Sequence, residues 1–278
     1  MEKLFDRVAL SCSKITTNLY STSFSLGIRS LAKKYHDPIY AIYGFVRFAD
    51  EIVDTFHEYD KALLLAEFKK ETYKAIDLKI SLNPILHSFQ LAVNKYNIDK
   101  ESIESFLYSM EMDLNPYLYD RSTFEKYILG SAEVVGLMCL RVFCEGDDAK
   151  YQLLKPQAMR LGAAYQKINF LRDMKADYFS LGRAYFPHLK IENFDDASKR
   201  EIELEIDADF KEGLQGIRNL PKGTRFGVYV SFVYYYSLFT KIRKIPASQV
   251  LQERIRIPNL KKYALIVTCF FKHKLNLI

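Results

Sequence analysis

Apolar residues recur at helical spacing through nearly the whole chain, and almost nothing interrupts them. Only 11 Gly and 8 Pro are spread over 278 residues, which leaves little material for turns. Such a chain folds as long helices joined by short loops. The punctuation that exists marks helix starts. Asp37-Pro38 reads as an N-cap followed by Pro at the first helical position, opening a helix over Ile39 to Phe56. Asn83-Pro84 opens another in the same way, and Asp99 caps a third that runs to Asp113. Ser122 or Thr123 starts a fourth, running towards Cys144. A long helix covers about Lys150 to Tyr178 and is ended by Ser180-Leu181-Gly182. Further helices follow over about Ala197 to Ile217, Arg225 to Lys244 and Pro258 to Lys274. Ile255 to Ile257 is the one strand candidate. With no repeat and no linker, residues 1–278 read as one all-α domain.

A hydrophobic share of 49% with 27% charged residues describes a globular chain, long enough to enclose a large pocket. The net charge, 40 − 34 = +6, suits an anionic partner such as a diphosphate or an acidic lipid surface. Lys and Arg do not gather into stripes, which argues against nucleic acid. Cys12, Cys139, Cys144 and Cys269 form no CxxC pair and read as reduced cytoplasmic thiols. The first residues carry charge where a signal peptide needs an apolar run. The longest apolar stretch, Phe226 to Phe239, is well short of the roughly 20 residues that span a bilayer. The expectation is a cytoplasmic protein, with peripheral contact to the inner membrane face through Phe270-Phe271-Lys272-His273-Lys274. The five histidines show no ligand spacing. No GxGxxG or Walker sequence occurs, so no NADPH or ATP is expected.

Two acidic motifs carry the chemistry. In Asp50-Glu51-Ile52-Val53-Asp54 the two aspartates are four apart and share one helix face. In Gln166 to Asp177, Asn169, Asp173 and Asp177 form a stripe along about two turns. Like charges at this spacing destabilise a bare helix, and a bound cation reverses the sign. The donors are oxygens only, with no His or Cys, which suits magnesium, with manganese as its substitute. A lone DxxxD is usually a solvated face. Two of them inside otherwise apolar helices would be costly without a counter-ion. Arg47, three residues before Asp50, points to nearly the same face and can offer paired donors to phosphate.

At these motifs the chain resembles the squalene and phytoene synthase family, most of all its bacterial phytoene synthases. Tyr20-Ser21-Thr22-Ser23-Phe24-Ser25 resembles the family's Ser-x-Ser-Phe segment. Ala41 to Asp50 leads into the first acidic motif as the family's does, and Gly182-Arg183-Ala184-Tyr185-Phe186-Pro187 follows the second. Arg254-Ile255-Arg256-Ile257-Pro258 resembles its late basic segment. Glu133, in Ser131-Ala132-Glu133-Val134-Val135-Gly136, departs from the family's small residue and puts pocket shape in question.

The resemblance implies the isoprenoid synthase fold, a helical bundle around a central apolar cavity. It also implies condensation of two geranylgeranyl diphosphates to phytoene through a cyclopropyl diphosphate. Asp50, Asp54, Asn169, Asp173 and Asp177 would hold the metal. Ser21, Phe24, Tyr43, Arg47, Gln166, Asn169, Arg183, Tyr234 and Arg256 would bind substrate, with Tyr43 and Arg47 also acting in catalysis. Enzymes acting later on carotenoids would be partners. Two other readings stand beside this one: a squalene or dehydrosqualene synthase using farnesyl diphosphate, and a non-catalytic assembly factor.

Overall fold

Every described element is helical, in a computed structural model that describes residues 2–114, 119–181, 185–187 and 193–275, without the side chains of 2, 176–181, 259–261, 263 and 274. The helices are α1 (Glu2–Tyr20), α2 (Thr22–Arg29), α3 (His36–Asp54), α4 (Lys61–Leu78), α5 (Pro84–Tyr96), α6 (Lys100–Asp113) and α7 (Arg121–Ile128). A π-helical turn, Leu129–Glu133, joins α7 to α8 (Val134–Cys144). Then come α9 (Asp148–Leu181), α10 (Asp196–Asn219), α11 (Lys222–Arg243), α12 (Ala247–Val250) and α13 (Asn259–Lys274).

Local chemistry explains most starts. Asn83 caps α5 by accepting from the backbone N–H of Ile85 and Leu86, with Pro84 in the first turn. Asp60 and Asp195 cap α4 and α10 in the same manner. Two expected caps move. Asp120, not Ser122 or Thr123, caps α7, its carboxylate accepting from Thr123 N at 2.7 Å. At α3 a 3₁₀ turn, Lys33–Tyr35, feeds straight into the helix and leaves Asp37 inside its first turn. Asp99 does precede α6, yet its side chain makes no cap bond. It accepts instead from Arg141 and Tyr151, tying α6 to α8 and α9.

The strand candidate is an extended segment without a partner strand. Its alternation is real, since Ile255 and Ile257 are buried while Arg254 and Arg256 are exposed. The longest apolar helical run is also not Phe226 to Phe239 but α7 through α8, long and apolar enough to cross a membrane by length and composition. More than half of its apolar window is buried within the protein, so it serves as a core helix.

α9 is the axis of the site. It packs along α10 on one side and α8 with the π turn on the other. The approach to the π turn is close: a Cβ on Gly162 would stand 2.8 Å from Ala132 O, so only glycine fits there. α3 lies opposite, backed by α1, α5 and α8. α2 and α11 close the third side, in contact at Gly27 and Gly227.

Candidate active site

Between these helices lies a cavity of about 530 Å³. Its walls come from α2, α3, α6, the π turn, α8, α9, α10 and α11; they are mostly apolar, with Gln157 and Ser231 among the exceptions, and polar side chains gather at one end. That end is built from the two acidic motifs.

On α3, Ala41, Phe45, Ala49 and Val53 point into the core and anchor the helix. The opposite face turns Tyr43, Arg47 and Asp50 onto the cavity. Arg47 Nη1 donates to Asp50 Oδ2 at 2.9 Å, and its Nη2 donates to Glu51. The guanidinium lies 4.3 Å from the centre of the Tyr20 ring. Burial works against the Arg47 charge, but Asp50 and Glu51 more than offset it and hold the group firmly protonated. Arg47 Nε is buried and has no protein partner. Ser21 caps α2 by accepting from Phe24 N at 3.2 Å and also hydrogen-bonds Tyr43. The Phe24 ring sits 5.4 Å from Tyr43 and 6.2 Å from Tyr235.

On α9, four polar side chains follow one another toward the cavity mouth. Ser131 Oγ donates to Tyr127 O at 2.7 Å, so it can only accept from Gln166 Nε2, at 3.2 Å. Gln166 Oε1 in turn accepts from Asn169 Nδ2 at 3.3 Å. The chain of bonds fixes both amides and leaves Asn169 Oδ1 on the side where Tyr235 Oη donates to it, at 3.5 Å. One turn on, Asp173 is gripped by two guanidiniums. Arg172 Nε donates to Oδ1 at 3.0 Å, and Arg254 Nε reaches the same oxygen at 2.6 Å. Lys175 holds the Arg254 segment to α9 through the Gln252 carbonyl, at 2.8 Å. Burial opposes the Arg172 charge and the Asp173 carboxylate outweighs it, so its pKa is raised.

The deeper wall is aromatic and neutral. Tyr165 and Tyr235 stack with centroids 4.1 Å apart. Burial pushes the Tyr165 hydroxyl well above its ordinary pKa and takes Tyr235 up to about 12. Burial likewise raises the Cys139 thiol to about 12.

The structure therefore brings Ser21, Phe24, Tyr43, Arg47, Asp50, Gln166, Asn169 and Tyr234 onto one cavity. Asp54 and Asp173 are not among its lining residues, although Asp173 bonds Arg172 and Arg254, which are. Two expectations change. Arg256 is exposed and does not line the cavity; Arg254, two residues earlier, takes that place. Glu133 is not a wall residue either. It faces Arg160, Asp209 and Lys167, and burial raises its carboxyl to about 7. Arg183 and the side chain of Asp177 lie outside the described residues. Arg172, Arg254, Tyr20, Tyr235 and Ser131 are site residues the sequence did not single out. Arg172 carried a signal as the residue directly before Asp173, and Tyr20, Ser131 and Arg254 lay inside the segments compared with the family.

Among the described residues, no three His, Cys, Asp or Glu groups converge as a metal site. The donors that face the mouth, Asp50, Asn169 and Asp173, are oxygens alone. Each of the two carboxylates rests against a guanidinium, Asp50 against Arg47 and Asp173 against Arg172.

A family model described as squalene/phytoene synthase matches residues 17–261. A 4,4'-diapophytoene synthase of Staphylococcus haemolyticus is 23% identical over 92% of this chain and 94% of its own. Among solved structures, a dehydrosqualene synthase in complex with ligand superimposes with a TM-score of 0.82 at 18% identity, covering 97% of this chain and 98% of that one. A squalene synthase from Alicyclobacillus acidocaldarius gives a TM-score of 0.74 at 20% identity, covering 86% of this chain and 94% of that one.

Proposed function

Because the chain belongs to the squalene/phytoene synthase family, we propose that it joins two prenyl diphosphates head to head, taking geranylgeranyl diphosphate and giving phytoene through a cyclopropyl diphosphate. The observation that carries this reading is a mostly apolar cavity whose mouth is flanked by Asp50 on one helix and Asp173 on another, each matched to arginine. Such a mouth receives diphosphate and such a cavity receives its hydrocarbon tail.

Asp50, Asp54, Asn169, Asp173 and Asp177 would hold magnesium, or manganese in its place, which would supply the charge that a leaving diphosphate needs. Arg47, Arg172 and Arg254 offer paired N–H donors to the phosphate oxygens. Breaking the allylic C–O bond leaves its electron pair on the diphosphate and a carbocation in the cavity. Phe24, Tyr43, Tyr165 and Tyr235 present aromatic faces to it, worth about 2 kcal/mol when water is excluded. Cys139, Tyr165 and Tyr235 remain protonated at neutral pH, so none of them is an anionic trap for the cation. The double bond of the second substrate is then the nucleophile within reach.

The length of the wall supports the longer tail. The lining residues on α9 run from Leu154 to Arg172, about 27 Å at a rise of roughly 1.5 Å per residue. That length favours a twenty-carbon chain. The dehydrosqualene and squalene synthases of similar fold favour the second reading, a fifteen-carbon substrate. Incubating pure protein and magnesium with geranylgeranyl or farnesyl diphosphate, then identifying the hydrocarbon by mass, decides between them. Phytoene from the first is the expected result; a product from farnesyl diphosphate alone overturns the chain length. The reading places the enzyme in the cytoplasm with its product passed to later carotenoid enzymes.

A further inference from the structure

The amphipathic order of α1 is inverted. Its inner face carries small or polar residues: Ala9, Ser13 and Thr17 are all but fully buried. Ser13 Oγ meets Ser88 Oγ at 2.6 Å, and Asp6 pairs with His87 at 2.8 Å. Its outer face carries the aliphatics. Leu4 is 62% exposed, Val8 52%, Ile15 57% and Leu19 80%. At about 100° per residue these four fall within about 60° of one another around the helix. A helix that folds for its own domain does the reverse. Beside the stripe, Lys3, Arg7 and Lys14 form a second exposed row. The one carboxylate of α1 whose side chain is described, Asp6, is turned to His87. The stripe ends at Tyr20, which lines the cavity mouth, and Ser21 follows it there.

We propose that the outer face of α1 docks on an anionic lipid bilayer, with Leu4, Val8, Ile15 and Leu19 in the acyl boundary and Lys3, Arg7 and Lys14 on the headgroups. A helix lying in the interface needs this pattern, an apolar stripe edged by cations. Charge selects lipid over a second copy of the chain. Two such faces meeting about a two-fold axis would bring six cations into one interface, whereas acidic headgroups neutralise them. Seating α1 in this way brings the cavity mouth to the membrane surface, where long-chain substrates and products partition. This surface is distinct from the C-terminal basic run expected from sequence, and it holds for either tail length.

The test is co-sedimentation of the full chain with phosphatidylcholine vesicles, with and without phosphatidylglycerol. The wild type binds the acidic vesicles and is released by salt. Leu4→Ser, Ile15→Ser and Leu19→Ser together lower the partition about tenfold or more on either vesicle. Lys3→Gln, Arg7→Gln and Lys14→Gln together lower it about tenfold on the acidic vesicles alone. Circular dichroism and turnover of detergent-dispersed substrate report that both variants fold. A wild type left in the supernatant, or either variant binding like wild type, overturns the proposal. So does a wild-type dimer in sedimentation equilibrium that the serine variant converts to monomer. Loss of turnover in the wild type would instead count against the proposed function and leave the docking face standing.

Discussion

The two sides of the cavity mouth hold their carboxylates by different means. On α3 the clamp is local: Arg47, Asp50 and Glu51 lie within one turn of one helix, and that turn is largely screened from solvent. On α9 the clamp is assembled from afar. Arg172 is the neighbour of Asp173, but Arg254 comes from an extended segment 81 residues away, held by Lys175. A local clamp exists as soon as the helix forms. The distant one exists only after α9, α12 and the segment beyond have docked. Removing a partner from the first should therefore disturb the fold, and from the second mainly the function.

The largest expected effect tests whether both sides serve the same reaction. Asp50→Asn and Asp173→Asn should each lower kcat/KM about a thousandfold, the several kcal/mol expected of a group that helps hold a catalytic metal. Steady-state turnover with the preferred diphosphate measures it. Retention of a tenth of wild-type activity by either variant would break the equivalence of the two sides.

The arginines separate the two clamps. Arg47→Ala leaves Asp50 and Glu51 adjacent and half-buried without their cation, costing about 2–3 kcal/mol of stability in a urea titration. Arg254→Ala removes a guanidinium that is 51% exposed, so its stability cost stays below about 1 kcal/mol. Its activity should still fall about tenfold, because a paired phosphate donor is gone. Arg256→Ala should match wild type in both. Equal Tm losses for Arg47→Ala and Arg254→Ala would erase the contrast.

The smallest effect lies behind the α9 clamp. Glu133 sits by the buried pair of Lys167 and Asp209, 2.7 Å apart. Burial lifts its carboxyl from the model-compound value of 4.5 to about 7. A raised folded-state pKa means the native chain holds this proton more tightly than the unfolded one. Its contribution is therefore present below pH 4.5 and is lost as pH rises to about 7. Glu133→Gln should remove that slope and stabilise the protein at pH 8 by about 1–2 kcal/mol, after allowance for the part of the side chain that water reaches. Urea midpoints at pH 5 and pH 8 measure it; an unchanged slope would place the titration elsewhere.

Helix identity was legible because the signals are local. Asn83-Pro84 caps α5 through the next two backbone amides, and nothing distant can alter that bond. Asp99 shows where this stops: it marks the start of α6, but Arg141, 42 residues on, takes the carboxylate that was expected to cap. Arg254 and Arg256 show the same limit at the site. Their period-two spacing places both on one side of an extended segment, and only docking decides which reaches Asp173.

The sequence by itself determined that the chain is helical, that Arg47 and Asp50 share a face, and that Asn169 and Asp173 line up along α9. A period of 3.6 residues per turn settles such relations within one element. Tertiary structure decided what those faces meet. It joined the two acidic helices at one mouth, turned Glu133 away from the cavity, gave Asp173 its distant arginine and left the aliphatic face of α1 outward. Those outcomes depend on which surfaces bury one another, an energy summed over the whole packed molecule that no short stretch of sequence carries.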